Sequence, residues 1–239
     1  MNYYEIPCTN PWWNMAFDEW LLQNGPDEPV FRLWRNEPSV IIGHNQVVAQ
    51  EVNLEYLQQH GIKLARRVTG GGAVYHDLQN MNYSFAGPIG TVSPQAFAEA
   101  LQHLGVPAEL TGRNDIFVEG RKISGYARSV WHNRELVHGT LMYDVDIDTL
   151  TEVLNVEGSS KLNLKGVASI RSRVTNVRDY LPQFASLDEL QAELLRILAK
   201  KSGNPQLSGT PIQLSKSQLA EIDKLASEKF ASSDWIYKQ

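Results

Sequence analysis

Apolar residues recur at helical spacing near the start of the chain and predict an amphipathic helix that ends at Asn24. Asn10 followed by Pro11 is typical of a helix N-terminus, because asparagine caps the first turn and proline fits its first position. Two acidic residues, Asp18 and Glu19, interrupt the apolar pattern. We expect both to face solvent or to cap a neighbouring element.

The rest of the pattern mixes strands and helices without a regular alternation. Short apolar or alternating runs predict strands at 30–34, 39–43, 62–68, 73–76, 82–85, 115–118, 122–128 and 139–145. Capping residues and helical spacing predict helices at 53–60, 94–104, 187–201 and 216–230, with capping boxes at Ser186 and Ser215 and a polar linker at 202–210. This order favours an α+β fold with a largely antiparallel mixed sheet flanked by helices.

Composition and charge narrow the class of protein. The 239 residues are 42% hydrophobic and 21% charged, which is ordinary for a soluble globular protein. We see no apolar run of the ~20 residues that cross a bilayer and no export signal, so we expect a cytoplasmic protein without a membrane partner. The net charge of −5 gives no reason to expect a nucleic-acid partner. The single cysteine, Cys8, excludes an internal disulfide, although it could be a nucleophile.

A run of glycines follows the predicted strand at 62–68. Gly70, Gly71 and Gly72 come directly after Arg66 and Arg67, and ordering three glycines is costly unless the backbone turns sharply or lies against a ligand. The run matches neither a P-loop nor the dinucleotide fingerprint. Exposed backbone amides beside two arginines would suit a phosphate or carboxylate, and a plain hairpin turn is the alternative.

A second group of candidate residues lies around a predicted hairpin. A turn at Glu119-Gly120 would bring Asn114 and Asp115 next to the strand that carries Lys122 and Ser124. Small neighbours leave room for a ligand beside the Lys122 ammonium, although a lysine is commonly just a solvated surface residue. Five basic residues at 161–178 include Arg171 and Arg173 and occur without an acidic residue, which indicates an anionic ligand, an acidic partner surface or a solvated face.

These motifs occur in an order that resembles the lipoate-protein ligase family over nearly the whole chain. The matching motifs are Arg66-Arg67-x-x-Gly70-Gly71-Gly72-Ala73-Val74-x-His76-Asp77-x-x-Asn80-x-Asn82-Tyr83-Ser84-Phe85, Gly112-Arg113-Asn114-Asp115, Lys122-Ile123-Ser124-Gly125, His138-Gly139-Thr140-Leu141 and Ser169-x-Arg171-Ser172-Arg173. The ending Phe230-x-x-x-Asp234-Trp235 is also similar. The resemblance implies a biotin/lipoyl ligase fold, which is class II synthetase-like.

The resemblance also implies an activity and roles for individual residues. Lipoate would react with ATP, in the presence of Mg²⁺, to give lipoyl-AMP, and a lysine of a lipoyl carrier domain would then take the lipoyl group. Lys122 would be the catalytic residue, and Asp115 would bind magnesium. Substrate or nucleotide binding is implied for Arg67, Gly70, Gly71, Gly72, Ala73, Val74, Tyr75, Asn80, Asn114, Asp115, Ser124, His138, Gly139, Thr140, Arg171 and Arg173.

Partners and alternatives also follow from the resemblance. The expected carriers are E2 subunits of 2-oxoacid dehydrogenases, the glycine cleavage H protein or similar proteins. We expect residues 1–239 to form one catalytic domain without the small accessory domain of single-chain ligases, so a separate accessory subunit could be needed. The alternatives are a lipoyl or octanoyl transferase that uses preformed lipoyl-AMP or a carrier thioester, and a non-catalytic protein that binds lipoate or a lipoyl domain.

Overall fold

A computed structural model of the protein describes residues 1–111, 114–154, 173–201 and 204–238, with the backbone alone for 201–208. Its strands are β1 (Asn2–Tyr4), β2 (Val30–Trp34), β3 (Ser39–Ile42), β4 (Lys63–Arg66), β5 (Val74–His76), β6 (Asn80–Pro88), β7 (Glu109–Thr111), β8 (Asp115–Val118), β9 (Arg121–Trp131), β10 (Arg134–Met142), β11 (Lys200–Lys201) and β12 (Asn204–Ser208). Its α-helices are α1 (Pro11–Asn24), α2 (Val48–Glu51), α3 (Leu54–His60), α4 (Gln95–His103), α5 (Ile147–Val153), α6 (Leu187–Ala199), α7 (Lys216–Leu225) and α8 (Ser233–Ile236). A 3₁₀ turn covers Arg178–Tyr180, and a π-helical turn, Ala226–Phe230, extends α7.

Two sheets of the described chain form the framework. The larger has the order β1-β2-β6-β10-β9-β8-β7 and is antiparallel except for the β1–β2 pair. The smaller has the order β4-β3-β5, with β3 parallel to β4 and antiparallel to β5. The α+β fold with a largely antiparallel mixed sheet is therefore confirmed.

The large sheet is covered on both faces, because its central strands alternate between two sets of buried side chains. On β6, Met81, Tyr83 and Phe85 pack into the same cluster as the buried residues of α4 and α6. The opposite face meets α1 and the small sheet, where Phe17 and Ile41 pack against Trp34 of β2. The outer face of the small sheet is closed by α2, α3 and α5.

Local capping signals account for several helix boundaries. The Asn10 side chain accepts hydrogen bonds from the first turn of α1, and Gly61 ends α3 in the left-handed conformation, with φ of 63°. Ser215 forms the complete capping box with Gln218. Ser186 accepts from the Glu189 amide as predicted, but the Glu189 carboxylate accepts from the amide of Ala185.

Two local predictions were wrong. Asp18 and Glu19 do not face solvent, because α1 lies between the large sheet and the C-terminal helices and buries both carboxylates. Asp18 pairs with Arg32, and Glu19 pairs with Lys229. The segment predicted as a linker contains β12, whose backbone pairs with β11. No helix within the described ranges has the length and apolarity that crossing a membrane requires.

Candidate active site

A strip of polar side chains crosses the face of the large sheet that is turned toward α1. Side chains two positions apart share a face of a strand, so Asn80, Asn82 and Ser84 of β6 point to the side opposite Met81, Tyr83 and Phe85. In the register of the sheet, Asn82 lies between Trp34 of β2 and Thr140 of β10. The strip therefore forms a polar base beneath the loops that join the two sheets.

A cavity of about 170 Å³ lies above this base. Apart from Met15 and Asn114, its lining residues come from the glycine run and its flanks, the β8–β9 hairpin, β10 and the strands of the two sheets. In chain order the set is Met15, Trp34, Ile41, Arg67, Gly71, Gly72, Ala73, Val74, His76, Asn82, Asn114, Asp115, Lys122, Gly125, Tyr126, Ala127, His138, Gly139 and Thr140. The floor is buried and combines the apolar side chains of Met15, Trp34 and Ile41 with the polar strip, whereas the lysine and the aspartate at the mouth are partly exposed. This combination is typical of a pocket for an amphipathic small molecule.

The glycine run is not the plain hairpin turn considered as an alternative. The strands on either side of it, β4 and β5, do not pair with each other but flank β3 on opposite sides. The run must therefore cross the end of β3. Gly71 has φ of 95°, a conformation that L-residues rarely adopt, and a Cβ on Gly43 would lie 2.1 Å from the Gly71 carbonyl oxygen. The close approach of these two backbones requires glycine at both positions.

Arg67 holds the glycine run in place from inside. Its Nη2 donates to the carbonyls of Gly70 and Gly72 at 2.8 and 2.7 Å, and its Nη1 donates to Ile41 O at 3.1 Å. Its Nε donates to Thr69 Oγ1 at 3.0 Å. Burial lowers the pKa of Arg67 to about 10, so the guanidinium keeps its charge at neutral pH. The side chain lines the cavity, but its nitrogens are engaged by the loop.

Arg66 points the other way and has no part in the cavity lining. Its guanidinium is fully buried and donates to carbonyls near the start of the chain, at Gly43, His44 and Gln46. It also donates to the carbonyls of Trp235, Ile236 and Lys238 in the C-terminal segment. Arg66 thus ties the C-terminal segment to residues 43–46, and it is not the anion-binding side chain considered from the sequence.

His138 belongs to a buried chain of hydrogen bonds. Its Nδ1 donates to Asp18 Oδ2 at 2.7 Å, and its Nε2 accepts from Thr69 Oγ1 at 2.7 Å, while Thr69 accepts from Arg67. Burial alone would raise the pKa of Asp18, but the charge of Arg32 and hydrogen bonds from His138 and Ser84 hold it below its usual value. This chain of hydrogen bonds links α1 to the glycine run, and the His138 ring forms part of the cavity wall.

Lys122 and Asp115 meet at the cavity mouth. Glu119 and Gly120 both have positive φ, so β8 and β9 are joined by a tight two-residue turn. A bulge shifts the register between Ile116 and Phe117, and after it Asp115 lies opposite Gly125. Lys122 Nζ lies 2.6 Å from Asp115 Oδ1. The predicted proximity of these two residues is confirmed.

Gly125 makes room for the ammonium of Lys122. A Cβ at Gly125 would lie 2.9 Å from Lys122 Nζ and 3.0 Å from its Cε, so the lysine folds across the space that a side chain would fill. Ser124, the other small neighbour, is buried with its hydroxyl 3.3 Å from Tyr83 Oη. Of these two small residues, only Gly125 opens space beside Lys122.

The other residues predicted from the sequence divide into three groups. The cavity lining includes Arg67, Gly71, Gly72, Ala73, Val74, Asn114, Asp115, Lys122, His138, Gly139 and Thr140. Gly70, Tyr75, Asn80, Ser124 and Arg173 are described but lie outside that lining. Arg171 and most of the basic stretch at 161–178 lie outside the described residues, so their assignment stays a prediction.

Sequence reasoning assigned no ligand contact to several lining residues. Met15, Trp34 and Ile41 form the apolar floor, and His76 and Asn82 add polar atoms to it. One signal could have identified Asn82, because polar residues alternate with apolar ones at Asn80-Met81-Asn82-Tyr83-Ser84-Phe85 in a predicted strand. A strand with polar residues on a buried face indicates a site beneath it.

Among the described residues that line the cavity, Asp115 supplies the carboxylate that could contact a metal. Among the residues that the structure describes, no three His, Cys, Asp or Glu side chains group together as a metal cage would. Asp115, one-third exposed at the mouth, fits a Mg²⁺–nucleotide, because Mg²⁺ commonly takes one or two protein carboxylates and completes its shell with phosphate oxygens and water.

A cavity with a buried floor under a glycine run and a lysine at its mouth suits a small molecule that has an apolar part and an anionic group. Residues 10–199 match the family model of the lipoyl protein ligase A/B catalytic domain. The chain belongs to this family. It is 38% identical over 233 residues to the lipoate-protein ligase LplJ of Bacillus subtilis (strain 168), a match that covers 94% of this chain and 69% of that protein.

Solved structures of similar fold cover nearly the whole chain. One is the bipartite lipoate protein ligase from Thermoplasma acidophilum, with a TM-score of 0.87 and 30% identity over 99% of this chain and 95% of that one. Another is a lipoate-protein ligase A bound with ATP, with a TM-score of 0.82 and 29% identity over 99% of this chain and 98% of that one. The fold predicted from the family resemblance is thereby confirmed as that of lipoate-protein ligases.

Proposed function

We propose that the protein is a lipoate-protein ligase, which activates lipoate with ATP to lipoyl-AMP and transfers the lipoyl group to a lysine of a carrier domain. The observation that carries the proposal is Lys122, whose ammonium lies at the mouth of a cavity with a buried floor in a chain of this family. The tail of lipoate would fill the cavity, and its carboxylate would reach the lysine.

The first step brings two anions together. A carboxylate oxygen of lipoate forms a bond to the α-phosphorus of ATP while the bond to the β-phosphate oxygen breaks, so pyrophosphate leaves. The ammonium of Lys122 offsets the repulsion between the carboxylate and the phosphate. The backbone amides of Gly71 and Gly72, which line the cavity, would supply further donors, because Arg67 holds the carbonyls of Gly70 and Gly72 on the protein side.

Asp115 is the residue that would hold Mg²⁺. A magnesium ion there would neutralise phosphate charge on the bound nucleotide. Asp115 also pairs with Lys122, and this contact holds the ammonium near the cavity mouth. Asn114, exposed beside Asp115, is the second candidate for a nucleotide contact from this turn.

The second step makes an amide. The neutral amine of a carrier lysine attacks the carbonyl carbon of lipoyl-AMP, the bond to the AMP oxygen breaks, and the amine loses a proton. Negative charge develops on the carbonyl oxygen, and Lys122 is the donor that would stabilise it.

The carriers we propose are lipoyl domains of E2 subunits or the glycine cleavage H protein. The Thermoplasma acidophilum neighbour is described as a bipartite ligase together with its E2 lipoyl domain. A separate accessory subunit is therefore the first partner to test if adenylation fails. The cysteine mechanism of thioester transferases finds no support, because Cys8 lies outside the cavity lining.

Intact-mass spectrometry of a lipoyl domain tests the proposal. One sample receives lipoate, ATP and Mg²⁺, and a parallel sample receives synthetic lipoyl-AMP. We expect the lipoyl mass in both, and we expect Lys122→Ala to lower the rate at least about 100-fold, the usual cost of losing one transition-state donor. The matched control is Lys224→Ala, an exposed lysine of α7.

The two samples separate the alternatives. Modification from lipoyl-AMP alone would mean that this chain transfers without activating, which favours the transferase or an accessory subunit. No modification in either sample, with folded protein and bound lipoate, would favour the non-catalytic binding protein.

A further inference from the structure

The cavity has a polar mouth and a closed apolar floor. Lys122 and Asp115 are 37% and 33% exposed, whereas Met15, Trp34 and Ile41 on the floor are at most 5% exposed. An acid that reacts at Lys122 must place its carboxylate at the mouth and its tail against the floor. Any polar group on the floor therefore meets the tail and not the carboxylate.

His76 presents an N–H donor to the floor. Asn14 Nδ2 donates to Asn36 Oδ1 at 2.9 Å, so the atom of Asn36 that faces His76 Nδ1 at 3.1 Å is the amide nitrogen. His76 Nδ1 must then accept, which puts the ring proton on Nε2. Nε2 is buried, and no hydrogen-bond partner for it exists among the described residues. Because Nδ1 is engaged by Asn36 and His76 lines the cavity, Nε2–H is the donor of this ring that remains for a ligand there.

His76 remains an uncharged donor at physiological pH. Burial, with the positive charge of Arg67 and the neighbouring His138, lowers the pKa of His76 to about 3. Its ring packs edge to face with Trp34 at 6.2 Å between centroids, which fixes its orientation on the floor.

Asn82 contributes a second donor. Its Oδ1 accepts from Asn80 Nδ2 at 2.9 Å, so its own Nδ2 points away from Asn80. That nitrogen is fully buried and, within the described part of the chain, has no hydrogen-bond partner. Asn82 lines the same cavity as His76.

Two buried donors without partners destabilise the site unless a ligand supplies acceptors. The tail of lipoate contains acceptors of only one kind, the two sulfurs of its dithiolane ring, and sulfur is a weak but real acceptor. A saturated fatty tail offers none. We infer that the His76 Nε2–H and the Asn82 amide donate to the dithiolane sulfurs and make the site prefer lipoate over a sulfur-free acid of the same shape.

This inference rests on the proposed function, since it assumes that lipoate occupies the cavity. It assigns to His76 and Asn82 the discrimination between acids, and it leaves the chemistry at Lys122 unchanged. An octanoate tail would leave both donors unpaired and would also leave part of the ring space empty, so octanoate alone cannot separate hydrogen bonding from shape.

The test uses lipoate and 5-cyclopentylpentanoate, in which two methylenes replace the two sulfurs of the ring. Pyrophosphate release, or transfer from the matching synthetic adenylates, gives kcat/KM for each acid. We expect wild type to prefer lipoate by about fivefold or more, the equivalent of about 1 kcal/mol from two weak hydrogen bonds. A wild-type ratio near one would overturn the inference without reference to any variant.

Variants then locate the preference. Asn82→Leu and His76→Phe each remove a donor and should lower the lipoate-to-carbocycle ratio toward one. The matched controls, Asn133→Leu and His103→Phe, change exposed residues outside the cavity lining and should keep the wild-type ratio. Because both acids are measured on one preparation, partial unfolding cancels in the ratio. A ratio that Asn82→Leu and His76→Phe leave unchanged would contradict the inference.

Failure of the inference is distinct from failure of the proposed function. If wild-type protein modifies a lipoyl domain with both acids at equal efficiency, the proposed ligase activity is retained, and the donors do not distinguish sulfur from methylene. If it binds and transfers neither acid, the function itself is wrong.

Discussion

Gly125 is important because the end of the Lys122 side chain occupies the space beside it. In Gly125→Ala, the added methyl group would meet Nζ and Cε at about 3 Å, and a flexible lysine can move aside at little cost to the fold. We expect kcat/KM to fall about tenfold or more, because the ammonium leaves its position, while the free energy of unfolding changes by less than about 1 kcal/mol.

A double-mutant cycle with Lys122→Ala checks this explanation. If Gly125→Ala acts by displacing the lysine, it should have no further effect on kcat/KM once Lys122 is alanine. An equal loss in both backgrounds would show that the methyl group blocks the ligand directly.

His76 should make the fold sensitive to mild acid. The unfolded chain binds a proton at this residue near pH 6.5, whereas the folded protein does so only near its lowered pKa of about 3. Stability should therefore fall with falling pH below about 6.5, by at most about 1.4 kcal/mol per pH unit from this residue. Urea unfolding at pH 7, 6 and 5 measures the slope, which His76→Phe should reduce. Equal slopes in wild type and His76→Phe would contradict the assignment, and the exposed His103→Phe is the control.

At the scale of elements, the docking of α1 depends on a buried ion pair. Asp18 of α1 faces Arg32 of β2 at 3.2 Å between Oδ1 and Nε, and both side chains are almost fully buried. Asp18→Asn would leave the Arg32 charge without its partner, so we expect a loss of about 3–5 kcal/mol in the free energy of unfolding at pH 7. Asp179→Asn, at an exposed position, should cost less than about 0.5 kcal/mol.

The pH dependence of that loss gives a second check. The folded-state pKa of Asp18 is lowered, so its contribution is complete above the unfolded value near 3.9 and disappears as the pH falls through the folded value. The difference in unfolding free energy between wild type and Asp18→Asn should therefore shrink below about pH 4. A constant difference would mean that the carboxylate charge is not what stabilises α1.

At the scale of the whole molecule, Arg66, which ends β4 just before the glycine run, joins the segment at 43–46 to the C-terminal segment. Its guanidinium donates to carbonyls at Gly43 and His44 and to Trp235 and Ile236, which are distant in sequence. Lysine offers fewer donors and no planar fork, so Arg66→Lys should lower the free energy of unfolding by about 2–4 kcal/mol. We also expect a higher KM for lipoate, because the base of the glycine run loosens.

Chemical unfolding and steady-state kinetics measure the two effects. Arg196→Lys, in an exposed ion pair on α6, is the matched control. It should change the free energy of unfolding by less than about 0.5 kcal/mol and leave KM for lipoate nearly unchanged. Unchanged stability in Arg66→Lys would show that the carbonyl contacts are not needed to hold the C-terminal segment.

Signals confined to a few neighbouring residues were read correctly from the sequence. Asn10, Gly61 and Ser215 act on their own helix ends, and the Glu119-Gly120 turn forces the hairpin that brings Lys122 to Asp115. Capping and turn formation depend on contacts between residues only a few positions apart. The residue types at those positions are therefore sufficient to predict a helix end or a turn. The fold and the ligase function were predicted from the order of the family motifs and not from these local signals.

The tertiary structure alone decided which polar residues are internal and where the ligand tail would lie. Asp18 is buried because β2 and β10 bring Arg32 and His138 to it, and the glycine run is no hairpin because β3 lies between its flanking strands. The donors of His76 and Asn82 face one cavity only after both sheets have assembled. Periodicity along the chain carries no information on such contacts, because they join residues that are distant in sequence and are selected by packing of the complete fold.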